Sequence, residues 1–303
     1  MAAMQSVSLT SIPNLEFKRI LVTTDFSDCS LAALKQAAAI ARLHGSELLM
    51  LHVVSPEPMI QQSLEPPTWE YQDIIHQAET QMKTAETDEV LAGIPHRFIV
   101  ENGALEPVLS QMIKEREISL LVVGTHGRTG IKKLLLGSVA EEIFRRAECP
   151  VMTIGPSESP ALLAHGRFLS VLFATDFSPA SMRALPYAIA FARESQARLT
   201  LMHVVNEGSV TALYLNERLV AYARRQLEQL LPALSISSPE IEVVTGYPVE
   251  EILRVADMKR ADLIVIGVHK AGGFGARTSA HLPWTIAQSV ACYAKSPVLT
   301  VRG

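Results

Sequence analysis

Short apolar runs of strand length alternate along the chain with longer segments in which apolar residues recur every three or four positions. The runs are rich in Val, Ile and Leu, as are strands buried on both faces of a parallel sheet. The longer segments, such as residues 31–43, have the periodicity of amphipathic helices. Strands are predicted at residues 19–25, 47–54, 97–103, 119–125 and 150–156, and again at 170–176, 198–205, 241–246, 262–268 and 297–301.

The two sets of predicted strands belong to one internal repeat. Matching residues are found in both halves in the same order, with offsets that change only where a connecting segment is shorter or longer. One structural unit is therefore duplicated. The offset is 151 positions from Asp25 to Asp176, 143 from Gly124 to Gly267, and 147 from Pro150 to Pro297.

The alternation of strands and helices predicts an α/β fold in which each half is an open, five-stranded parallel sheet covered by helices on both faces. We expect a flexible arm at residues 1–16, domains at 17–156 and 168–303, and a linker at 157–167. The last strand of each half is an apolar sheet edge. Antiparallel pairing of these two edges about a pseudo-twofold axis would cover both.

Other features of the sequence narrow the class of protein. The formal net charge of −4 argues against a nucleic-acid-binding surface. The three cysteines lie far apart and form no CxxC pair, which favours a reducing cytoplasm and a role for each as a small buried hydrophobe. The first residues lack a secretory pattern, and no apolar run approaches the ~20 residues of a membrane span. We expect a cytoplasmic protein without membrane or nucleic-acid partners.

The loop after the first strand of each half carries an aspartate and a helix-capping serine. Ser27 and Ser178 are predicted N-caps, and Pro179 is suited to the first helical position. Asp25 and Asp176 precede these caps at the carboxyl end of a strand, where parallel sheets bind their ligands. Their carboxylates could accept hydrogen bonds from ribose hydroxyls or an adenine amine, help hold a metal, or serve the structure alone.

Residues 124–138 form a glycine-rich, basic segment between a predicted strand and a predicted helix. Glycines let backbone N–H groups approach an anion, and a helix N-terminus adds unpaired donors and a favourable dipole. The segment therefore predicts a site for a phosphate chain. Its basic residues raise the local positive potential, although a solvated basic loop also accounts for each one of them. The segment contains Gly124, Gly127, Gly130, Gly137 and Ser138, with Arg128, Lys132 and Lys133.

The second half departs from this glycine pattern. Ser138 and its equivalent Thr285 are both predicted to cap the next helix. The residue before the cap is Gly137 in the first half and Trp284 in the second, and Lys270 replaces another glycine. Because a cap needs no glycine before it, whereas the close approach of a phosphate does, we infer that the first half keeps an anion site that the second has lost or remodelled.

Histidines recur in both halves without a metal-binding pattern. His126 lies inside the glycine-rich segment and could contact a phosphate, but it recurs as His269, so a packing role is equally open. His52 and His203 stand beside strand valines and are predicted to be core or edge histidines with satisfied hydrogen bonds. No H-E-x-x-H or clustered arrangement indicates a zinc site.

These residues resemble the universal stress proteins in their tandem two-domain form, from about Arg19 to Val301. The pattern G-x2-G-x9-G-[ST] of that family is met at residues 124, 127, 137 and 138. The resemblance implies Rossmann-like (HUP-type) domains, ATP with Mg²⁺ or Mn²⁺, and a dimer contact through the last strand. It also implies that Thr23, Thr24 and Asp25 border the adenosine, that Val53 and Val123 flank the base, and that Gly124, Gly127, Gly137, Ser138 and Val139 hold the ribose and phosphates.

The sequence carries no clear sign of catalysis. The Walker pattern GxxxxGK[ST] is absent, and no base and nucleophile stand at a readable spacing. Three hypotheses follow: a regulatory ATP-binding protein of the stress response, a slow ATPase or phosphotransferase of the same fold, and a scaffold whose pocket is vestigial or holds another small molecule. The chain could form its own dimer through its two halves, and a further homodimer is compatible with the sequence. The proline-rich residues 55–79 are predicted to form a mobile loop that leads into the second helix, near the mouth of the pocket.

Overall fold

The secondary structure follows the predicted alternation of strands and helices. The computed structural model describes residues 16–54, 68–86, 89–125, 147–155, 160–206, 213–234, 236, 238–268 and 283–303. Within these ranges the strands are β1 (Arg19–Thr23), β2 (Glu47–Val54), β3 (His96–Asn102), β4 (Leu120–Gly124), β5 (Val151–Ile154), β6 (Ser170–Ala174), β7 (Arg198–Asn206), β8 (Glu240–Gly246), β9 (Leu263–Val268) and β10 (Val298–Arg302).

Helices connect these strands and cover the sheet. The described helices are α1 (Asp28–His44), α2 (Thr68–Glu86), α3 (Leu105–Glu115), α4 (Pro160–His165), α5 (Pro179–Ser195), α6 (Leu213–Glu228), α7 (Leu231–Leu234), α8 (Pro248–Lys259) and α9 (Pro283–Tyr293). In the parts of the chain that the structure describes, no helix combines the length and the apolar character needed to cross a membrane.

The strands form one ten-stranded sheet in the order β3-β2-β1-β4-β5-β10-β9-β6-β7-β8. Neighbouring strands are parallel within each half, which confirms the predicted α/β class and its parallel sheets. The register is also repeated, because Thr23 pairs with Leu51 in the first half and its equivalent Ala174 pairs with Met202 in the second. The duplication seen in the sequence thus extends to the hydrogen-bonding pattern.

The two halves meet at the antiparallel pair β5–β10. Met152 faces its own equivalent, Leu299, at the centre of the pair, so the pairing has local twofold symmetry. The hydroxyls of Thr153 and Thr300 are buried, and each donates to a valine carbonyl of the opposite strand at 3.2 Å. Two apolar sheet edges, each open to unwanted pairing if left exposed, therefore cover one another.

The two faces of the sheet have different cores. Successive strand side chains point to opposite faces, so Ile20 and Val22 lie in one cluster and Leu21 in another. The first cluster is shared by both halves and contains α1 and α5. On the other face, each half has a separate cluster, one around α3 and one around α8 and α9. Among the described residues, a continuous apolar layer therefore joins the halves on one face only.

Cys149 fits the prediction of a small hydrophobic residue. It is buried in the first-half cluster around α3. Burial raises the pKa of its thiol to about 12, so the group stays protonated and unreactive at neutral pH. Cys29 and Cys292 are half-buried, so the same prediction is only partly met for them.

Two connecting segments are more ordered than the sequence indicated. Residues 55–79 were predicted to form a loop, but α2 begins at Thr68, so the second part of that prediction is wrong. The prolines end at Pro67, and an uninterrupted helix-compatible sequence follows. The predicted linker at 157–167 contains the short helix α4, whose Leu162 is fully buried. Residues 1–15 of the predicted arm lie outside the described residues.

Aromatic residues and a histidine pack where α1 and α5 meet. Phe17 stacks on Phe191 with ring centroids 5.1 Å apart, and His44 packs edge-on against Phe17 at 4.8 Å. Nδ1 of His44 lies 3.1 Å from Oε2 of Glu194. Burial lowers the pKa of His44 to about 4 and raises the pKa of Glu194. Although the distance would suit an ion pair, we infer that burial favours the neutral form of both groups.

These pKa shifts predict that His44 makes a contribution to the stability of the fold that is lost in acid. An unfolded histidine binds its proton near pH 6.5, whereas buried His44 does so only near pH 4, so its contribution to stability falls as the pH drops between these values. Glu194 contributes with the opposite sign, because its folded pKa is raised. The test compares two chains that both carry Glu194→Gln, one with His44 and one with His44→Leu. On acidification between these pH values, the free energy of unfolding should fall by about 2–3 kcal/mol more in the chain that keeps His44. Equal pH profiles in urea titrations would show that His44 titrates normally.

Candidate functional site

The predicted site lies where the direction of strand order changes. From β1 the first half runs through β2 to β3 on one side, and through β4 to β5 on the other. Parallel sheets bind ligands at such a point, beyond the carboxyl ends of the strands. Thr23 ends β1, Val53 lies next to the end of β2, and Val123 and Gly124 end β4. The structure thus brings these predicted residues to one edge, with Thr24 and Asp25 in the loop that follows β1.

A compact hydrogen-bond network fixes the loop between β1 and α1. Oγ1 of Thr24 accepts from the N–H of Phe26 at 3.0 Å and is hydrogen-bonded to Oγ of Ser30 at 3.1 Å. Oδ1 of Asp25 accepts from the N–H of Ser27 at 3.0 Å and from its hydroxyl at 2.6 Å. Ser27 caps α1 by accepting from the N–H of Ser30, as predicted. The Asp25 carboxylate is therefore held at the N-terminal end of α1.

The same network is present in the second half. Oγ1 of Thr175 accepts from the N–H of Phe177 at 2.9 Å and is hydrogen-bonded to Oγ of Ser181 at 2.8 Å. Oδ1 of Asp176 accepts from the N–H of Ser178 at 2.9 Å, and Ser178 caps α5 as predicted. Because both halves keep the network, we infer that its main task is to join strand and helix. It does not indicate which half binds a ligand.

A phenylalanine with a left-handed backbone lies at the centre of each network. Phe26 has φ 62° and Phe177 has φ 61°, a conformation that costs a non-glycine residue free energy. Each ring packs on the repeated histidine of the neighbouring strand, with centroids 4.7 Å apart for Phe26 and His52 and 4.5 Å apart for Phe177 and His203. The sequence analysis missed this pairing, although the constant spacing of Phe and His in both halves was available to find it.

The repeated histidines are structural, as predicted. Nδ1 of His52 lies 2.7 Å from the carbonyl oxygen of Thr24, and Nδ1 of His203 lies 2.8 Å from that of Thr175. Burial lowers the pKa of His203, although the hydrogen bond and the charge of Asp176 act in the opposite direction. Since a carbonyl oxygen only accepts, Nδ1 carries the proton in the neutral ring and Nε2 is left as an acceptor.

Gly124 has a packing role that the sequence analysis did not identify. A Cβ atom at Gly124 would lie 2.9 Å from the carbonyl oxygen of Cys29, and one at Gly267 would lie 2.3 Å from that of Ala180. In both halves the glycine therefore lets the first turn of the helix that follows the neighbouring strand, α1 after β1 or α5 after β6, rest on the end of the strand that carries the glycine. Helix packing therefore accounts for the glycine in both halves, and a contact of Gly124 with a phosphate stays a prediction.

The second half contains a cavity at the equivalent edge, at the ends of β6, β7 and β9. Its volume is about 100 Å³. The repeat offsets transfer Thr23, Thr24, Asp25, Val53, Val123, Gly124 and Val139 onto residues that all line this cavity. These lining residues are Ala174, Thr175, Asp176, Val204, Ile266, Gly267 and Ile286.

Several predicted site residues cannot be placed. His126, Gly127, Arg128, Gly137, Ser138 and Val139 all lie outside the described residues. Their roles stay predictions from the sequence. Among the described residues, no three His, Cys, Asp or Glu side chains come together in a way that could hold a metal ion.

One predicted helix cap is wrong. Thr285 was expected to precede the last helix of the second half, but α9 begins at Pro283, so Thr285 lies inside its first turn. A proline is favoured at the first helical position, because its missing N–H would have had no intrahelical partner there. The repeat alignment placed Thr285 correctly but gave no weight to this proline.

Helix residues that line the cavity were also missed. Pro248 and Ile252 of α8 form part of its wall, and the repeat transfers them onto Leu105 and Leu109 of α3. In sequence these side chains look like the buried stripe of an amphipathic helix. Only the tertiary structure separates the residues that face the cavity from those that fill the core.

The fold and this edge define a tandem α/β protein built from two parallel-sheet units. The model of the universal stress protein family matches residues 16–155 and again residues 168–302. The chain therefore belongs to the universal stress protein family.

Individual relatives agree with this assignment. A universal stress protein of Methanocaldococcus jannaschii is 33% identical over 150 residues, which cover 46% of this chain and 82% of the relative. The universal stress protein Rv2623 of Mycobacterium tuberculosis is 28% identical over 298 residues, covering 93% of this chain and 96% of the relative. A crystal structure of a universal stress protein from Archaeoglobus fulgidus has the same fold, with TM-score 0.71, 21% identity and coverage of 95% and 99% of the two chains.

The glycine contacts predict a stability effect that is independent of any ligand. Gly124→Ala and Gly267→Ala should each lower the free energy of unfolding by about 1–3 kcal/mol, since the new methyl group overlaps a backbone carbonyl. The loss should be larger at Gly267, where the contact is shorter. Gly155→Ala, with a contact of 3.1 Å to the carbonyl oxygen of Ala294, is the milder control. Denaturant titration of the three variants checks the order, and unchanged stability at Gly267 would contradict it.

Proposed function

We propose that the first half of this universal stress protein binds ATP at the edge formed by β1, β2 and β4, and that the bound nucleotide regulates its role in the stress response. One observation carries the proposal. Asp25 is fixed after β1, where the strand order changes, and Gly124 at the end of the neighbouring strand β4 opens the spacing G-x2-G-x9-G-S. The carboxylate supplies an acceptor for ribose hydroxyls, and the glycine spacing supplies backbone donors for phosphates.

The geometry of the second half supports the adenosine part of this proposal. The equivalents of the residues proposed to border the adenosine and to flank the base line a real cavity there. Because the strand register and the loop hydrogen bonds are the same in both halves, the equivalent edge of the first half has the backbone arrangement that forms a cavity in the second. Val53 and Val123 provide apolar walls for a base, and Thr23 adds a hydroxyl that the second half lacks.

The wider setting follows from the same architecture. Mg²⁺ or Mn²⁺ would arrive with the triphosphate, held mainly by its oxygens. We propose that the β5–β10 pair makes the chain an intrachain counterpart of a dimer, in which ligand occupancy of one half changes conformation or partner choice. A further homodimer stays a prediction.

The proposal predicts one ATP per chain and a difference between the two halves. Asp25→Asn should weaken ATP binding by about tenfold, since it replaces a carboxylate acceptor by an amide, and Gly137→Trp should abolish binding. Asp176→Asn is the matched control and should leave the ATP affinity unchanged. Isothermal titration, with mass spectrometry of any nucleotide released on denaturation, measures both stoichiometry and affinity. ATP binding that survives Gly137→Trp but is lost in Asp176→Asn would overturn the assignment to the first half.

A further inference from the structure

Strands β3 and β8 are the two outer strands of the ten-stranded sheet. In the part of the chain that the structure describes, each pairs with one neighbour, β2 or β7, and has no strand on its other side. The other edges of the two parallel units are already joined in the β5–β10 pair. An open strand edge presents a row of backbone donors and acceptors, so β3 and β8 are the edges at which another chain can extend the sheet.

The backbone of β3 directs alternate residues away from the sheet. At its two ends, the carbonyl oxygen of Pro95 and the N–H of Gly103 are hydrogen-bonded to β2 at 2.8 and 3.1 Å. In a parallel pair every second residue bonds to the neighbouring strand, so the odd-numbered residues of β3 are the ones that bond to β2. The N–H and carbonyl groups of Phe98 and Val100 therefore point outward, and no described residue bonds to them.

Antiparallel pairing of β3 with a second β3 is self-complementary in one register. When Ile99 faces its own copy, Phe98 pairs with Val100 of the second copy through the outward backbone groups. In the same register Arg97 lies opposite Glu101 of the second copy, and Glu101 lies opposite its Arg97. A shift of two residues in either direction keeps the backbone bonds but places both charges opposite uncharged residues. The charges therefore favour one twofold-symmetric register.

Arg97 and Glu101 are both accessible for this contact. The side chain of Arg97 is 67% exposed, and its one ion pair with a described residue joins Nε to Oε1 of Glu47 at 2.8 Å. A guanidinium has five N–H donors in a planar fork, so it can bind a second carboxylate while it keeps the first. Glu101 is exposed, and no described residue bonds to its carboxylate.

Apolar side chains of β3 add contact area on both faces of the sheet. Phe98 and Val100 are half-buried against the core that the two halves share, and Ile99 is half-buried against the cluster around α3. Pairing of two β3 strands covers part of the surface that these side chains still expose. A single strand pair is a small interface, so we expect a weak, concentration-dependent association.

The other outer strand, β8, carries charges that oppose the same arrangement. In the repeat, Glu240 takes the place of Arg97 and Glu242 that of Ile99. Nζ of Lys259 lies 2.9 Å from Oε2 of Glu240 and 2.6 Å from Oε1 of Glu242. Equivalent pairing of two β8 strands would place the two Glu242 carboxylates opposite each other, and like charges in that position are destabilising. Charged side chains of this kind protect sheet edges from association.

We propose that two copies of this chain associate through β3, antiparallel about a twofold axis at Ile99, so that one sheet continues from the first copy into the second. Because both copies use the same surface, the assembly closes at the dimer. The inference is independent of the proposed function, since β3 contains none of the residues assigned to the nucleotide and its test needs no ATP.

Complementary charge variants of the full chain test the register. Arg97→Glu places carboxylates opposite carboxylates, and Glu101→Arg places guanidinium groups opposite each other, so each variant alone should dimerise at least about tenfold more weakly than the unchanged chain. Mixed in equal amounts, the two variants should form a heterodimer about as tightly as the unchanged chain, because both cross-strand pairs then have opposite charges. Sedimentation equilibrium at increasing concentrations, with one variant fluorescently labelled, measures these dissociation constants.

A matched pair of proline variants assigns the association to one edge. Val100→Pro removes an outward N–H of β3, and Val243→Pro removes the equivalent N–H of β8. Proline is tolerated where the N–H of an edge strand faces outward, so both chains should fold. Val100→Pro should abolish dimerisation and Val243→Pro should leave it unchanged. The reverse result would place the contact on β8 and overturn the proposal.

Thermal unfolding of each variant separates loss of association from loss of folding. Arg97→Glu also loses its contact with Glu47, but mixing would not repair a folding defect, so recovery in the mixture is specific to the interface. If that variant does not fold, Glu101→Arg carries the test alone. A chain that stays monomeric at every concentration, charge variants that dimerise as tightly as the unchanged chain, or growth beyond the dimer into open chains would each overturn the proposal.

Discussion

The close approach of a helix to the end of a strand is the contact on which both sites depend. The first turn of α1 rests on Gly124, and the first turn of α5 rests on Gly267, at distances that leave no room for a Cβ atom. This approach puts the helix N-terminus, its capping serine and the preceding aspartate directly over the edge of the sheet. A larger residue at the strand end would lift the helix and with it the Asp25 carboxylate. Packing therefore decides the position of the site before any ligand is considered.

The same two helices connect each site with the contact between the halves. Helix α1 begins at the first-half site and ends at His44, and α5 begins at the second-half cavity and ends beside Glu194. Those ends meet in the aromatic cluster around Phe17 and Phe191. On the opposite face, the residues that the structure describes form a separate core in each half. The halves are thus joined through the β5–β10 pair and one shared apolar layer, and each site stands at the far end of a helix anchored in that layer.

The sequence predicted what local chemistry determines. Continuous apolar runs indicated the strands, and the serines before each first helix indicated its caps, because both signals involve residues close together in the chain. The sequence did not predict features that depend on contacts between residues far apart in the chain. The steric reason for Gly124 lies in Cys29, 95 positions earlier, and the buried contact of His44 with Glu194 joins residues of different halves. The wrong prediction of a helix cap at Thr285 has another cause. It assumed that the last helix of each half begins at equivalent sequence positions.

Because the unit is duplicated, the residues that join strand to helix can be distinguished from the residues that determine the ligand. Thr24, Phe26, Ser27 and Ser30 recur in the second half with the same hydrogen bonds, so these residues are accounted for by the joining of strand to helix. Functional information must therefore reside in the positions where the halves differ. These positions include Thr23 against Ala174, Val123 against Ile266, and Gly137 against Trp284. Each of these differences changes the size or polarity of the candidate ligand site, and none of them changes the hydrogen bonds that join strand to helix. A single unit can in this way change its ligand without changing its fold.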